Sequence, residues 1–320
     1  MKRFAIQKPL GFHLDAACEF YSGFIPGSGM AAAATDQLTL TFGLDVGFAP
    51  VAVTVRQEPR GLLLDVVGTD DLAAVERQVG RMLGFDADPV AWFSLGESDL
   101  VVGDLQRQFP GFLSAAKASP YDAATWAVIA PRINQGLAAR IKLALARQLG
   151  DALEVRGRTH YVFPRPEVLA TLDRFPGLPD EKVARLRGVA RAAQEGRLDA
   201  ERLRSMGEAR ALDELQTLRG IGPWAASHIY FRGAAPHDGL PTAEPRILHG
   251  LASAYRLRSP TVETFRRIAS GWRPFRTWVC VLLMRHLAGT GGWQVPGLAQ
   301  ERARAGRALL SARRSANPAA

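Results

Sequence analysis

The stretch GLPTAEPRIL, residues 239–248, places a single carboxylate, Glu244, between a Pro-led turn and an apolar helical pattern. Two roles are open to it. A carboxylate in a cleft can stabilise positive charge as it develops on a reacting group, and can orient or deprotonate a water. A glutamate at a helix start is also favourable simply because it faces the positive end of the helix dipole. The spacing alone does not choose between them, so the neighbouring elements must.

Some twenty residues upstream lies LQTLRGIGPWAASHIYFRG, residues 215–233. Leu212, Leu215 and Leu218 line a helix expected to end at Arg219–Gly220. Gly220 and Gly222 can take backbone angles that other residues avoid, and Pro223 suits the first position of a new helix. Ile221, between the glycines, can plug the space between the two helices. The pattern predicts a helix–hairpin–helix over 212–232. Unpaired N–H groups of such a turn suit a phosphate oxygen, and no side chain blocks its approach. The loop carbonyls of Leu218 and Gly220 could hold a monovalent cation, Na or K. The plainer alternative is a tight turn between packed helices.

These motifs sit in a chain of 320 residues, long enough for two ordinary domains. The first third reads as β-rich. Residues 38–45 alternate around Leu38, Leu40, Phe42 and Leu44; residues 51–57 repeat this with Val51, Val53 and Val55; residues 60–68 form a third apolar run. A small antiparallel sheet is expected. Leu72, Val75, Val79 and Leu83 then switch to helical spacing, with Asp70 or Asp71 as the cap. Beyond about residue 88 the pattern is helical to the end. Pro131 breaks it within APRIN, and Asn134 can cap the helix carrying Ile133, Leu137, Ile141 and Leu145. The expected fold class is mainly α with an N-terminal α+β domain. The expected division is 1–95 for the β-rich domain, 96–298 for the helical domain and 299–320 for a basic, disordered tail.

Composition narrows the partners. Lys and Arg number 40 against 31 Asp and Glu, a net charge of +9. Such a surplus suits a polyanion, nucleic acid first. No apolar run is long enough to cross a bilayer, and the N-terminus lacks a secretory pattern. The two cysteines, Cys18 and Cys280, cannot by themselves form a four-thiolate iron–sulfur or zinc site. A reducing cytoplasm, with the protein at the nucleoid of a prokaryote, is the expected setting.

On these residues the chain resembles the helix–hairpin–helix DNA glycosylase superfamily, specifically the 3-methyladenine DNA glycosylase II type. LRGIGPWAA is similar to the family's Leu-x-Gly-Ile-Gly-x-Trp-Thr-Ala, and WRPFRTW, residues 272–278, is similar to its Trp-x-Pro-Trp/Tyr-Arg-Ser. Residues 109–141 run like the helix pair before its intercalating loop, and the sheet followed by RMLGFDADP looks like its extra β-rich domain. The resemblance covers about residues 40 to 290 and implies a helical glycosylase fold plus a small antiparallel sheet.

The same resemblance implies an activity: hydrolysis of the N-glycosidic bond of alkylated bases, 3-methyladenine among them, flipped out of double-stranded DNA during base-excision repair. It maps the catalytic carboxylate onto Glu244, where the family has Asp; Asp238 is the fallback. Bifunctional relatives carry a Schiff-base lysine where this chain has Trp224, so a monofunctional enzyme without a resident cofactor is implied. Trp224, His228 and Phe275 map onto the base pocket, and Phe275 could equally be plain core. Arg132 maps onto the residue inserted into the DNA stack. Arg219, Gly220, Ile221 and Gly222 of the hairpin, with Arg276, complete the implied DNA contacts; Arg232 is either a phosphate contact or an ordinary surface residue. A monomer acting on one side of a duplex is expected. The alternative is a glycosylase-fold protein that binds or senses damaged DNA without excising a base.

Overall fold

A computed structural model describes residues 1–23, 31–34, 36–59 and 61–290. The expected tail at 299–320 lies outside the described residues.

The three expected strands form the centre of a five-stranded antiparallel sheet. They are β3 (Gln37–Gly43), β4 (Pro50–Glu58) and β5 (Gly61–Val67); β1 (Lys2–Ile6) and β2 (Ala31–Ala34) add its edges, giving the order β1-β5-β4-β3-β2. Register follows the apolar alternation: Leu38 opposes Val55, Phe42 opposes Val51 and Val53 opposes Val66. α1 (Leu14–Gly23) packs on this sheet, and α2 (Leu72–Leu83) follows it. Of the two candidate caps for α2, Asp71 is the one used; its carboxylate accepts from the Ala74 N–H at 2.9 Å. Gly84, at φ +77°, ends the helix in the left-handed region where a Cβ is penalised.

The remainder is helical with one exception. α3 (Pro89–Ser98) and α4 (Leu100–Gln108) lead into α5 (Pro120–Ile129), which is buried on every side. α6 (Gln135–Leu149) begins at Asn134, whose side chain accepts from the Leu137 N–H as expected. A two-stranded hairpin, β6 (Ala152–Val155) with β7 (Arg158–Tyr161), interrupts the region that the sequence pattern assigns to helix. Its strands are four residues long and mix charged with apolar side chains, too short for alternation to register. α7 (Pro166–Ala170), α8 (Asp180–Gln194), α9 (Ala200–Ser205), α10 (Glu208–Gln216), α11 (Pro223–His228), α12 (Pro245–Ala254), α13 (Val262–Ala269) and α14 (Arg276–Gly289) complete the chain.

Two hydrophobic cores result, and they do not divide the chain at one point. The first joins the N-terminal sheet and α1 to α4 with α12, α13 and α14, so both ends of the described residues build it. The second is made from residues 121 to 234. The expected boundary after residue 95 falls inside α3, whose Trp92 packs edge-on against Phe275 and Trp278. Glu244 begins α12 of the first core, whereas the hairpin belongs to the second.

A buried ionic knot sits under the second core. Asp122 of α5 accepts from Lys117 at 3.1 Å and from Lys142, all three residues buried. Burial alone would raise the Asp122 carboxyl, but the two ammoniums outweigh it and hold it at about 2. Burial pushes the Lys117 ammonium down to about 7 against the pull of Asp122.

Candidate active site and DNA interface

The hairpin forms as the glycines require, with its first helix shorter than expected. α10 ends at Gln216, and the turn runs through Thr217 to Gly222 before α11. Gly220 is at φ +86°, which an L side chain rarely adopts. Gly222 is at φ −89°, an ordinary value for any residue, and a Cβ there would meet nothing within 4 Å. Ile221 is buried in the second core and its N–H donates to the Leu218 carbonyl at 3.0 Å, which gives the expected plug.

α11 runs into a π-helical segment, Ile229–Ala234, instead of continuing as α-helix. Such wide turns recur at functional sites. Here the segment follows directly on a stack of two rings. Trp224 and His228, one turn apart on α11, lie with centroids 5.4 Å apart and planes 15° apart.

Glu244 is the N-cap of α12, and its carboxylate is held from two sides. Oε1 accepts from the backbone N–H of Arg246 at 3.2 Å and from Arg246 Nε at 2.8 Å; Oε2 accepts from Arg246 Nη2 at 2.8 Å and from Trp224 Nε1 at 2.8 Å. The side chain is 13% exposed. The indole of the base-pocket candidate thus bonds the helix cap itself. Four donors fill the in-plane acceptor sites of the carboxylate. Arg246, two residues further on, is a partner of the candidate carboxylate that sequence pattern did not single out.

His228 is half-buried with Nε2 itself buried and without a hydrogen-bond partner. Its imidazole is pushed well below its ordinary range, first by burial and then by Lys117 and Arg232, against the opposing pull of Glu244.

The other site residues are placed as follows. Phe275 is 2% exposed and its ring packs on Trp92 and Trp278 within the first core, while Trp224, His228 and Glu244 form one contact cluster. Asp238 is clipped by Arg273 at 2.8 Å and by both Nε and Nη2 of Arg276, the latter at 3.1 Å. The fallback carboxylate and Arg276 thus tie the loop before α12 to the start of α14. Arg232 sends its guanidinium to within 5.9 Å of the Phe20 ring. Arg132 is exposed in the turn between α5 and α6, with φ +63°. A left-handed arginine costs roughly 1–2 kcal/mol and marks a backbone held by its surroundings. The holder is Lys182 of α8, whose ammonium donates to the carbonyls of Ile129 at 2.6 Å and Pro131 at 2.8 Å.

Among the described residues, no group of three or more His, Cys, Asp or Glu side chains could hold a metal ion. Cys18 and Cys280 are both buried and free. No helix among the described residues is long and apolar enough to cross a membrane.

No family model matches the chain. Among curated proteins it is 25% identical over 219 residues to the DNA-3-methyladenine glycosylase of Bacillus subtilis (strain 168), a match covering 67% of this chain and 72% of that one. It is 27% identical over 247 residues to a probable bifunctional transcriptional activator/DNA repair enzyme AlkA of Mycobacterium tuberculosis; this covers 74% of the chain but only 48%, about half, of that longer protein. Among solved structures, a 3-methyladenine DNA-glycosylase from Archaeoglobus fulgidus superposes with a TM-score of 0.73 at 19% identity, covering 92% of this chain and all of that one. An 8-oxoguanine glycosylase/lyase from Clostridium acetobutylicum, in complex with double-stranded DNA, superposes with a TM-score of 0.58 at 13% identity over 82% of this chain and 98% of that one. The chain is thus similar in sequence to DNA-3-methyladenine glycosylases and shares its fold with solved DNA glycosylases, which supports the helix–hairpin–helix DNA glycosylase superfamily.

Proposed function

We propose that the protein is a monofunctional DNA glycosylase that excises alkylated bases of the 3-methyladenine type from duplex DNA in base-excision repair. The observation that carries this reading is the cluster in which the Trp224–His228 stack meets the Glu244 carboxylate, directly after the hairpin.

A stacked base must leave the duplex before its glycosidic bond can be reached. In this reading the Arg132 turn fills the gap and the hairpin holds the backbone. The flipped base lies against the electron-rich face of Trp224, which attracts a cationic alkylated purine. Burial disfavours the charged form of His228, which would otherwise set a like charge beside a cationic base. As the bond lengthens, positive charge builds on the sugar and the Glu244 carboxylate stabilises it.

With its acceptor sites filled, Glu244 acts through its charge rather than by taking a proton. Arg246 offsets part of that charge, but an alkylated base is already a good leaving group and needs only a modest push. Water then completes the hydrolysis. Trp224 stands where a Schiff-base lysine would be needed for strand cleavage. A monovalent cation on the carbonyls of Leu218 and Gly220 is compatible with the hairpin, because Leu218 keeps a lone pair after accepting from Ile221.

The test is product analysis on methylated duplex DNA. Released 3-methyladenine, an abasic strand that stays intact until alkali is added, and no borohydride-trapped protein–DNA adduct are expected. A trapped adduct or strand cleavage during the reaction would contradict the monofunctional mechanism.

A further inference from the structure

The first two turns of α8 lie between the two features assigned to DNA contact. Lys182 bonds the turn that carries Arg132. One residue earlier, Glu181 bridges two guanidiniums: its Oε1 accepts from Arg185 Nε at 3.0 Å and its Oε2 from Arg219 Nη2 at 3.1 Å. Arg219 belongs to the hairpin. The Arg185 side chain lies across Gly220, where an added Cβ would come within 2.5 Å of Arg185 Cδ. All three charged side chains are solvent-accessible, at 37% for Arg185, 49% for Glu181 and 75% for Arg219.

A carboxylate bridging two arginines presents the same chemistry as a phosphodiester: two anionic oxygens, each facing a guanidinium N–H. Exposed ion pairs of this kind contribute little to stability, so exchanging the anion costs the fold little. We propose that Arg185 and Arg219 bind a backbone phosphate of duplex DNA beside the hairpin, and that Glu181 occupies this phosphate's place in the free protein. The proposal rests on the glycosylase reading only for the identity of the partner. Glu181 thereby tunes affinity: it holds both arginines in position for the phosphate, and it competes with that phosphate for them.

The test is a binding titration of a fluorescein-labelled, undamaged duplex of about 20 base pairs, followed by anisotropy over a range of salt concentrations. Losing one phosphate contact makes the slope of log K against log salt shallower by about 0.9. Arg185→Gln is expected to show that change and to bind roughly 3- to 10-fold more weakly near 100 mM salt. Glu181→Gln is expected to bind severalfold more tightly, and this gain should shrink when Arg185→Gln is combined with it. Glu76→Gln, on the exposed face of α2, is the control and should leave binding unchanged.

An unchanged slope and affinity in Arg185→Gln, while wild type binds, would overturn the proposal without touching the proposed activity. So would a gain from Glu76→Gln as large as that from Glu181→Gln. If wild type binds and the variants behave as expected but no alkylated base is released, the activity fails and the phosphate site stands. If wild type shows no salt-dependent binding, both fall.

Discussion

Trp224 and Glu244 are joined by a 2.8 Å hydrogen bond from the indole N–H to the carboxylate. One residue lies in the hairpin's second helix and the other caps α12, so this bond spans the two hydrophobic cores of the molecule. It couples the surface that would hold a flipped base to the charge that would act on its sugar. Trp224→Phe keeps a ring for stacking and deletes the donor. Base release in a single-turnover assay should fall about ten- to a hundredfold, the effect of losing one charge-assisted hydrogen bond of about 1.5–3 kcal/mol. Affinity for undamaged duplex should not change.

The two hairpin glycines should separate in their effects. Gly220→Ala places a Cβ at φ +86° and against the Arg185 side chain, so both stability and binding should suffer. Gly222→Ala meets neither strain nor a neighbour, and its melting temperature should match wild type. Its added methyl nevertheless stands at the open backbone, and DNA affinity should drop similarly for duplexes of unrelated sequence. Calorimetry with a binding titration checks both.

Arg132→Gly offers an opposite pair of signs. Removing the left-handed strain at φ +63° should stabilise the protein by up to about 1 kcal/mol. Removing the side chain that fills the gap should slow excision at the same time. Denaturant unfolding and single-turnover release read the two effects separately, and a parallel loss of both would contradict the role given to this turn.

Asp122 is the counter-charge of two buried lysines. Asp122→Asn would leave both ammoniums without their anion and should destabilise the protein by about 3–5 kcal/mol, measured by denaturant unfolding. Acid should reproduce part of this effect. Asp122, and likewise Asp86, which His237 at 2.9 Å and Arg204 at 2.8 Å hold down against burial, have folded values of about 2, below the ordinary 3.8, so the folded state binds fewer protons than the unfolded chain across that interval. Their contribution is complete above about pH 4 and is lost as the pH falls towards 2.

The parts legible in the sequence were those with a short-range cause. Alternation fixed the three central strands, a cap at Asp70 or Asp71 and another at Asn134 announced their helices, and the spacing of Gly220, Ile221, Gly222 and Pro223 announced the hairpin. Glu244 was legible as a candidate, but its clamp was not. Arg246 lies two residues away and reaches the carboxylate only because the side chain folds back onto the helix start. The α8 contacts were hidden because Glu181 meets Arg219 across 38 residues of sequence. Phe275 carries an aromatic side chain that suits a pocket or a core equally, and only packing on Trp92 and Trp278 reveals where it went. The first core draws on both ends of the described residues, an arrangement that no local pattern specifies.

The central claim is that Glu244 supplies the charge for base excision. Its most direct test is single-turnover release of 3-methyladenine from methylated duplex DNA by wild type and by Glu244→Gln, which keeps the shape of the side chain and removes the charge. Wild type should release the base, and the variant should be slower by about a hundredfold or more while its affinity for duplex DNA is retained. Equal release by the two proteins, or no release by wild type across a broad set of damaged bases, would contradict the account.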